Sequence, residues 1–196
     1  MVSIILTGGP GAGKSSMLKT LREYAISKNR KIVTVGEVPS LLNYANLPYQ
    51  LENGNNPIYD ELSVTIQVEF ERLAAELAGE NDIVVFDRAL PDRLPYLEKD
   101  QTYITPDAIS NALLSYNYVI YLDSPAFTDA SQLALDMGGE KRNETNTEQM
   151  ADLALKTLSV WQEREIIRVP WYQTIDERIE KFTAILDEIF RAVPLI

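Results

Sequence analysis

Short apolar runs alternate along the chain with amphipathic stretches. Residues 2–6 form a mainly apolar run too short for a helix, and it stops at Thr7, Gly8, Gly9 and Pro10, the pattern of a buried strand entering a loop. From Lys14 the period lengthens: Met17, Leu18, Leu21 and Ala25 recur three or four apart and share one helical face. Residues 31–38 predict a second strand, and Leu62, Ile66, Phe70, Leu73 and Leu77 predict a helix that ends before Gly79. Residues 82–87 (DIVVFD) predict a third strand and residues 118–122 (YVIYL) a fourth; between them Thr105, Pro106 and Asp107 read as a helix start. Thr145 with Glu148 and Thr174 with Glu177 have the spacing of capping boxes. The first opens a stripe of Met150, Leu153, Ala154, Leu158 and Trp161, the second one of Ile179, Phe182, Ile185, Leu186 and Ile189, and residues 165–169 between them predict a fifth strand.

Five short strands separated by helices, with no Asn-Gly type of hairpin signal between neighbours, predict an α/β fold: a five-stranded parallel sheet with helices on both faces. Residues 39–57 and 124–145 fit this scheme poorly. Loops of that length in compact domains are usually functional or mobile, and the second, with Gly138-Gly139 inside it, predicts a short lid on a single domain spanning residues 1–196. Forty-five per cent hydrophobic content in 196 residues supports one sizeable core.

Charge and missing residue types narrow the chemistry. With 18 Lys+Arg against 29 Asp+Glu the net charge is −11, which argues against a broad basic face for nucleic acid or anionic membrane. The absence of Cys and His excludes disulfides, thiolate nucleophiles, imidazole bases and the common zinc ligands. Acid-base work falls to carboxylates, Lys or Tyr. No apolar run approaches the roughly 18–20 residues of a membrane span, and the first residues lack a signal-peptide pattern, so a cytoplasmic protein is expected.

Residues 8–15, GGPGAGKS, satisfy the spacing G-x-x-x-x-G-K-[ST] through Gly8, Gly13, Lys14 and Ser15. Glycines let a loop turn its amides toward phosphate oxygens, the following helix adds a positive N-terminus, the lysine reaches the outer phosphates and the serine can ligate Mg²⁺. Gly9, Pro10, Gly11, Ala12, Gly13, Lys14, Ser15 and Ser16 form the candidate nucleotide-binding segment. A carboxylate for the metal is expected at a strand end. Asp87 is preferred over Asp123 because Arg88 follows it, setting a cation for phosphate beside a carboxylate. Glu37, in VGEVP, is with Asp87 a candidate base for a substrate hydroxyl. Basic residues come in small groups, Arg88 with Arg93 and Lys141 with Arg142; Arg142 is the candidate lid arginine.

FDRALPDRLPYLEKD (86–100), RNETNTEQMADLAL (142–155) and VPWYQTIDERIEKF (169–182), in that order behind the glycine loop, resemble the AAA-type ATP-binding domain of P-loop kinases. Bacterial ribosylnicotinamide kinase modules and a group of eukaryotic nucleotide-binding proteins share that domain. More distantly, the chain is similar to thymidylate and deoxynucleoside kinases, in which an acid near a proline ends strand two, as Glu37 and Pro39 do here. The resemblance implies a central first strand flanked by strands three and four. It also implies phosphate contacts from Arg88 and the lid cations, and a donor base near residues 170–174, with Pro170 at its edge. The usual glycine after the acid-arginine pair is Ala89 here, and Arg93 stands where many members are uncharged. Related kinases carry upstream modules, whereas a loop beginning at residue 8 implies a stand-alone unit.

The expectation is a kinase using ATP, or GTP, with Mg²⁺ to phosphorylate a nucleoside, nucleotide or similar small molecule, without nucleic acid or membrane as partner and with homodimerisation as an option. Tyr44, Tyr49 and Tyr59 would line the acceptor pocket. A nucleotide-gated switch with slow hydrolysis is the alternative.

Overall fold

In the computed structural model, which describes residues 1–51, 54–97, 103–138, 146–172 and 174–192, the strand that precedes the glycine loop lies at the centre of the sheet. β1 (Val2–Gly8) pairs in parallel with β5 (Ile83–Asp87) on one side and β6 (Tyr118–Leu122) on the other. β2 (Ile32–Val35) continues the sheet beyond β5 and β7 (Ile167–Val169) beyond β6, giving the order β2-β5-β1-β6-β7, all parallel. The five-stranded α/β reading and the central first strand hold.

The period of two decides which residues meet which layer. Ile4 and Leu6 of β1, with Ile83, Val85, Ile120 and Leu122, pack against α1 (Lys14–Ser27) and α7 (Ile175–Ala192), whose Met17, Leu21, Phe182, Leu186 and Ile189 are buried. Ile5, Val84, Phe86 and Val119 point the other way. They meet Phe70 and Ala74 of α3 (Pro57–Leu77), Leu113 of α4 (Pro106–Ser115) and Trp161, which caps α6 (Thr147–Val160). Two caps agree with the sequence reading: the Thr105 side chain accepts from the Ala108 amide at 3.2 Å, and Thr174 and Glu177 exchange bonds at 2.9 and 3.3 Å.

Several expectations are corrected. The second strand stops at Val35 rather than residue 38, because Pro39 has no amide to give a ladder and suits a first helical turn; Val38 opens α2 (Val38–Tyr44), with Glu37 at its extended cap position. Residues 39–57 are therefore no plain loop. Beyond α2, β3 (Gln50–Leu51) and β4 (Gly54–Asn55) pair antiparallel, and the sequence between them carries the Asn-Gly signal at 53–54, outside the main sheet. Residues 125–127 form a 3₁₀ turn and α5 covers Ser131–Gly138. Lys141, Arg142 and Thr145 lie outside the described residues. α6 is capped by Asn146, whose side chain accepts from the Gln149 amide at 2.9 Å, in place of the expected Thr145 box. The last strand starts at Ile167, two residues later than expected.

The α3 stripe is also rotated. Leu73 and Leu77 are 41% and 72% exposed, while Asp60, Ser63 and Gln67 are buried on the face turned inward. That face meets the polar end of the sheet, and its polar groups are paired: Ser63 donates to the Asp60 carbonyl, and Gln67 to the Glu71 carboxylate. No helix among the described residues is long and apolar enough to cross a membrane.

Candidate functional site

β1 runs into a loop that calls for glycine at two points. A Cβ on Gly8 would stand 2.3 Å from the Leu122 carbonyl oxygen of neighbouring β6, and Gly13 has a left-handed φ of 72° at the head of α1. No side chain caps α1. Its first amides are therefore unclaimed by the helix and, with the positive end of the dipole, suit an anion. Ser15 and Ser16 are exposed at this end, while Gly9, Pro10 and Ala12 are buried beneath it. Ser124, after β6, braces the loop by donating to the Pro10 carbonyl at 2.5 Å.

The Lys14 ammonium folds back over the loop, donating to the carbonyls of Gly8 and Gly9 at 3.3 Å each. Burial and the charge of Arg88 lower its pKa to about 8 against the pull of Glu37 and Asp87. Asp87, at the end of β5 beside Leu6 of β1, has a buried Oδ1 with no hydrogen-bond partner. Burial, then the charge of Glu37, pushes its carboxyl up.

Arg88 adopts a left-handed backbone, φ 70°, unusual for a side chain this size, as the chain swings from β5 into a 3₁₀ turn at Leu90–Tyr96. Its buried guanidinium donates through Nε to Glu37 Oε1 at 2.7 Å and lies 5.6 Å from the Tyr96 ring centroid. Glu37 also accepts from Ser40 at 2.9 Å. Burial disfavours its ionised form, but the charges of Arg88 and Lys14 and these two bonds prevail, and its pKa falls to about 2. The structure thus brings Lys14, Glu37, Asp87 and Arg88 together at the carboxyl edge of the sheet. Asp123 is engaged elsewhere: Arg168 donates two N–H groups to its Oδ1 at 2.7 and 3.1 Å.

Sequence reasoning missed Asp92. Fully buried, its carboxylate accepts from Thr7 at the end of β1 (2.5 Å), the indole of Trp161 (2.9 Å) and the Ala89 amide (3.0 Å). The signal available was the spacing from Ala89 to Asp92, that of an acid closing the first turn. Glu71 holds the next amide, Leu90, at 2.7 Å and takes the Tyr116 hydroxyl at 2.7 Å. Arg178 was missed too. It donates to the Asp123 carbonyl at 2.9 Å and lies 5.0 Å from the Trp171 ring centroid, with Nη1 3.6 Å from where a Cβ on Gly13 would sit. The segment that follows β7 at Pro170 is thereby tied to the glycine loop.

The three tyrosines separate. Tyr44 is 88% exposed, and Tyr59 is buried against Val38 and Leu42 with its hydroxyl near the Pro39 carbonyl. Tyr49 stacks edge-on with Tyr59, 5.4 Å between centroids, and with Gln50, Pro95, Tyr96, Gln149, Asp152 and Leu153 lines an open cavity of about 220 Å³.

A family model described as an AAA domain matches residues 3–178. Two solved structures of deoxyadenosine kinase from M. mycoides are similar over 95% of this chain and 100% of theirs. One, with products dCMP and a flexible dCDP bound, shares 17% identity at a TM-score of 0.58; the other, with bound dATP, shares 18% at 0.60. At such identity the likeness is one of fold. No curated protein matches.

Proposed function

Because the chain belongs to the AAA domain family, with the fold of P-loop phosphotransferases and ATPases, we propose that it is a kinase that moves the γ-phosphoryl group of ATP to a small-molecule acceptor of nucleoside or nucleotide type. One observation carries this reading: a glycine loop with an uncapped helix N-terminus and Lys14 opens onto the same crevice as Asp87, Glu37 and Arg88. A switch protein needs the loop, but has less use for a buried arginine held in place by a second carboxylate. The dATP, dCMP and dCDP of the similar structures fit a nucleotide donor and a nucleoside-type acceptor.

The loop amides and Lys14 hold the donor phosphates, whose negative charge would oppose the burial and the Arg88 repulsion that lower the pKa of Lys14. Mg²⁺ fits the remaining donors: the unpartnered carboxylate oxygen of Asp87 and the exposed hydroxyl of Ser15 are the hard oxygens it prefers. When bound it neutralises phosphate charge. Arg88 stabilises charge on the transferring group, and Glu37, committed to Arg88 and Ser40, fixes the direction of that guanidinium. Trp171 and Arg178 supply a flat cation-backed surface beside the loop for the donor base.

Lys14→Ala should keep the melting temperature within a few degrees and remove nearly all phosphoryl transfer, at least about 100-fold. Undiminished transfer would overturn the reading, and slow ATP hydrolysis indifferent to every acceptor would favour a switch.

A further inference from the structure

Arg93 is a buried cation to which the kinase reading gives no task. It is 3% exposed, and its Nε has no hydrogen-bond partner. Its guanidinium lies 5.7 Å from the centroid of Tyr96, the same ring that Arg88 covers at 5.6 Å, and Nη1 of Arg88 also lacks a partner. Two buried guanidiniums thus share one aromatic ring. Glu37 neutralises Arg88 at 2.7 Å, but among the described residues no carboxylate stands within ion-pair distance of Arg93. Keeping a positive charge out of water with no described carboxylate beside it is costly, and an anion on the remaining N–H groups would offset that cost. Phosphate oxygens match guanidinium forks in both geometry and charge.

Two further observations concern the ligand's chemistry. Glu37 accepts from Arg88 on one oxygen and from Ser40 on the other, and with its pKa held down to about 2 it is a weak base for a substrate hydroxyl. An acceptor that is already anionic needs no such base. Tyr96 also lines the cavity of about 220 Å³, as does Tyr49, so the ring shared by the two arginines borders a recess with two aromatic lining residues.

Building on the kinase reading above, we infer that the acceptor is a phosphomonoester, of the class of nucleoside monophosphates, whose phosphate is held by Arg93 and the free N–H of Arg88. In the transfer, the bond from the γ-phosphorus to the β–γ bridging oxygen breaks and that oxygen leaves on ADP. The new bond joins the γ-phosphorus to a phosphate oxygen of the acceptor, giving a diphosphate. A monophosphate dianion, the main form above a pKa of about 6, loses no proton in the step.

The test is the full chain with ATP and Mg²⁺, offered matched pairs of acceptors: adenosine and AMP, deoxyadenosine and dAMP, deoxycytidine and dCMP, thymidine and dTMP. At least one monophosphate should become a diphosphate with kcat/KM about tenfold or more above its nucleoside. Arg93→Gln should raise KM for that monophosphate about 10- to 100-fold with kcat changed far less, and Arg93→Lys should recover part of the loss. If the Gln variant does not fold, Arg93→Lys alone should show an intermediate KM. Preference for nucleosides, or a KM indifferent to Arg93, overturns the acceptor class and leaves the kinase reading standing. ATP consumption that responds to no acceptor overturns both.

Discussion

Asp92 shows how much one residue can hold. Its carboxylate ties the end of β1, the turn after β5 and the end of α6 through Thr7, Ala89 and Trp161. Asp92→Ala leaves these donors buried and unpaired, and at about 1–3 kcal/mol for each unmet group it should cost about 3 kcal/mol or more in urea denaturation. Asp92→Asn keeps an acceptor for Thr7 and Trp161 and should cost roughly half as much. The loss should appear in the ligand-free protein, which separates it from an effect on substrate binding. The glycine loop needed only local spacing to be read, whereas Asp92 looks in the sequence like any acid in a turn. Its partners lie 85 and 69 residues away along the chain, so nothing short of the fold could disclose them.

At the scale of elements, α3 separates what periodicity can tell from what it cannot. Its length and Asn56–Pro57 start follow local rules; Asn56 accepts from the Tyr59 amide at 3.3 Å and Pro57 sits in the first turn. Its inward face does not follow them. The apolar stripe points partly to solvent because the partner surface is the polar mouth of the sheet, where Gln67 and Glu71 have bonds to make. Leu73→Glu and Leu77→Glu should each change stability by less than about 0.5 kcal/mol, where a buried stripe would lose about 2–5 kcal/mol. Urea midpoints of the two variants against the parent protein decide between the two. Strands were legible where both faces are buried, as in β1, β5 and β6, and blurred at the sheet edges. β2 and β7, with one neighbour each, are trimmed by the proline and turn chemistry beside them. That the glycine loop, Asp87, Arg88 and Glu37 gather at one edge of the sheet was legible because each stands beside a recognisable strand end.

For the whole molecule, whose net charge is −11, the buried titratable groups respond to pH in different ranges. The pKa of Lys14 in the folded chain, about 8, lies below its ordinary 10.5. The unfolded chain therefore binds more protons between these values, and ligand-free stability should rise as pH climbs from about 8 toward 10.5. Tyr59 and Tyr121 act in the opposite sense. Burial raises both to about 12 from 10, so the stability they confer is complete below pH 10 and lost between 10 and 12. Glu37, lowered to about 2 from 4.5, contributes above pH 4.5, and that contribution is lost as pH falls through 2. Urea midpoints followed from pH 7 to 11 should pass through a maximum near pH 10, and the rise from pH 8 should be absent in Lys14→Met. A midpoint that falls steadily from pH 8 would contradict the burial assigned to Lys14.

The bracing of Pro10 by Ser124 has an electrical consequence. The carbonyls of Gly8 and Gly9 already face the Lys14 ammonium, that of Pro10 takes the Ser124 hydroxyl, and that of Gly13 takes the Met17 amide at 3.1 Å. These four loop oxygens, groups that would repel a phosphate, have partners before any ligand arrives. The cradle is polarised in advance, and an incoming anion meets hydrogens without first having to turn a peptide around.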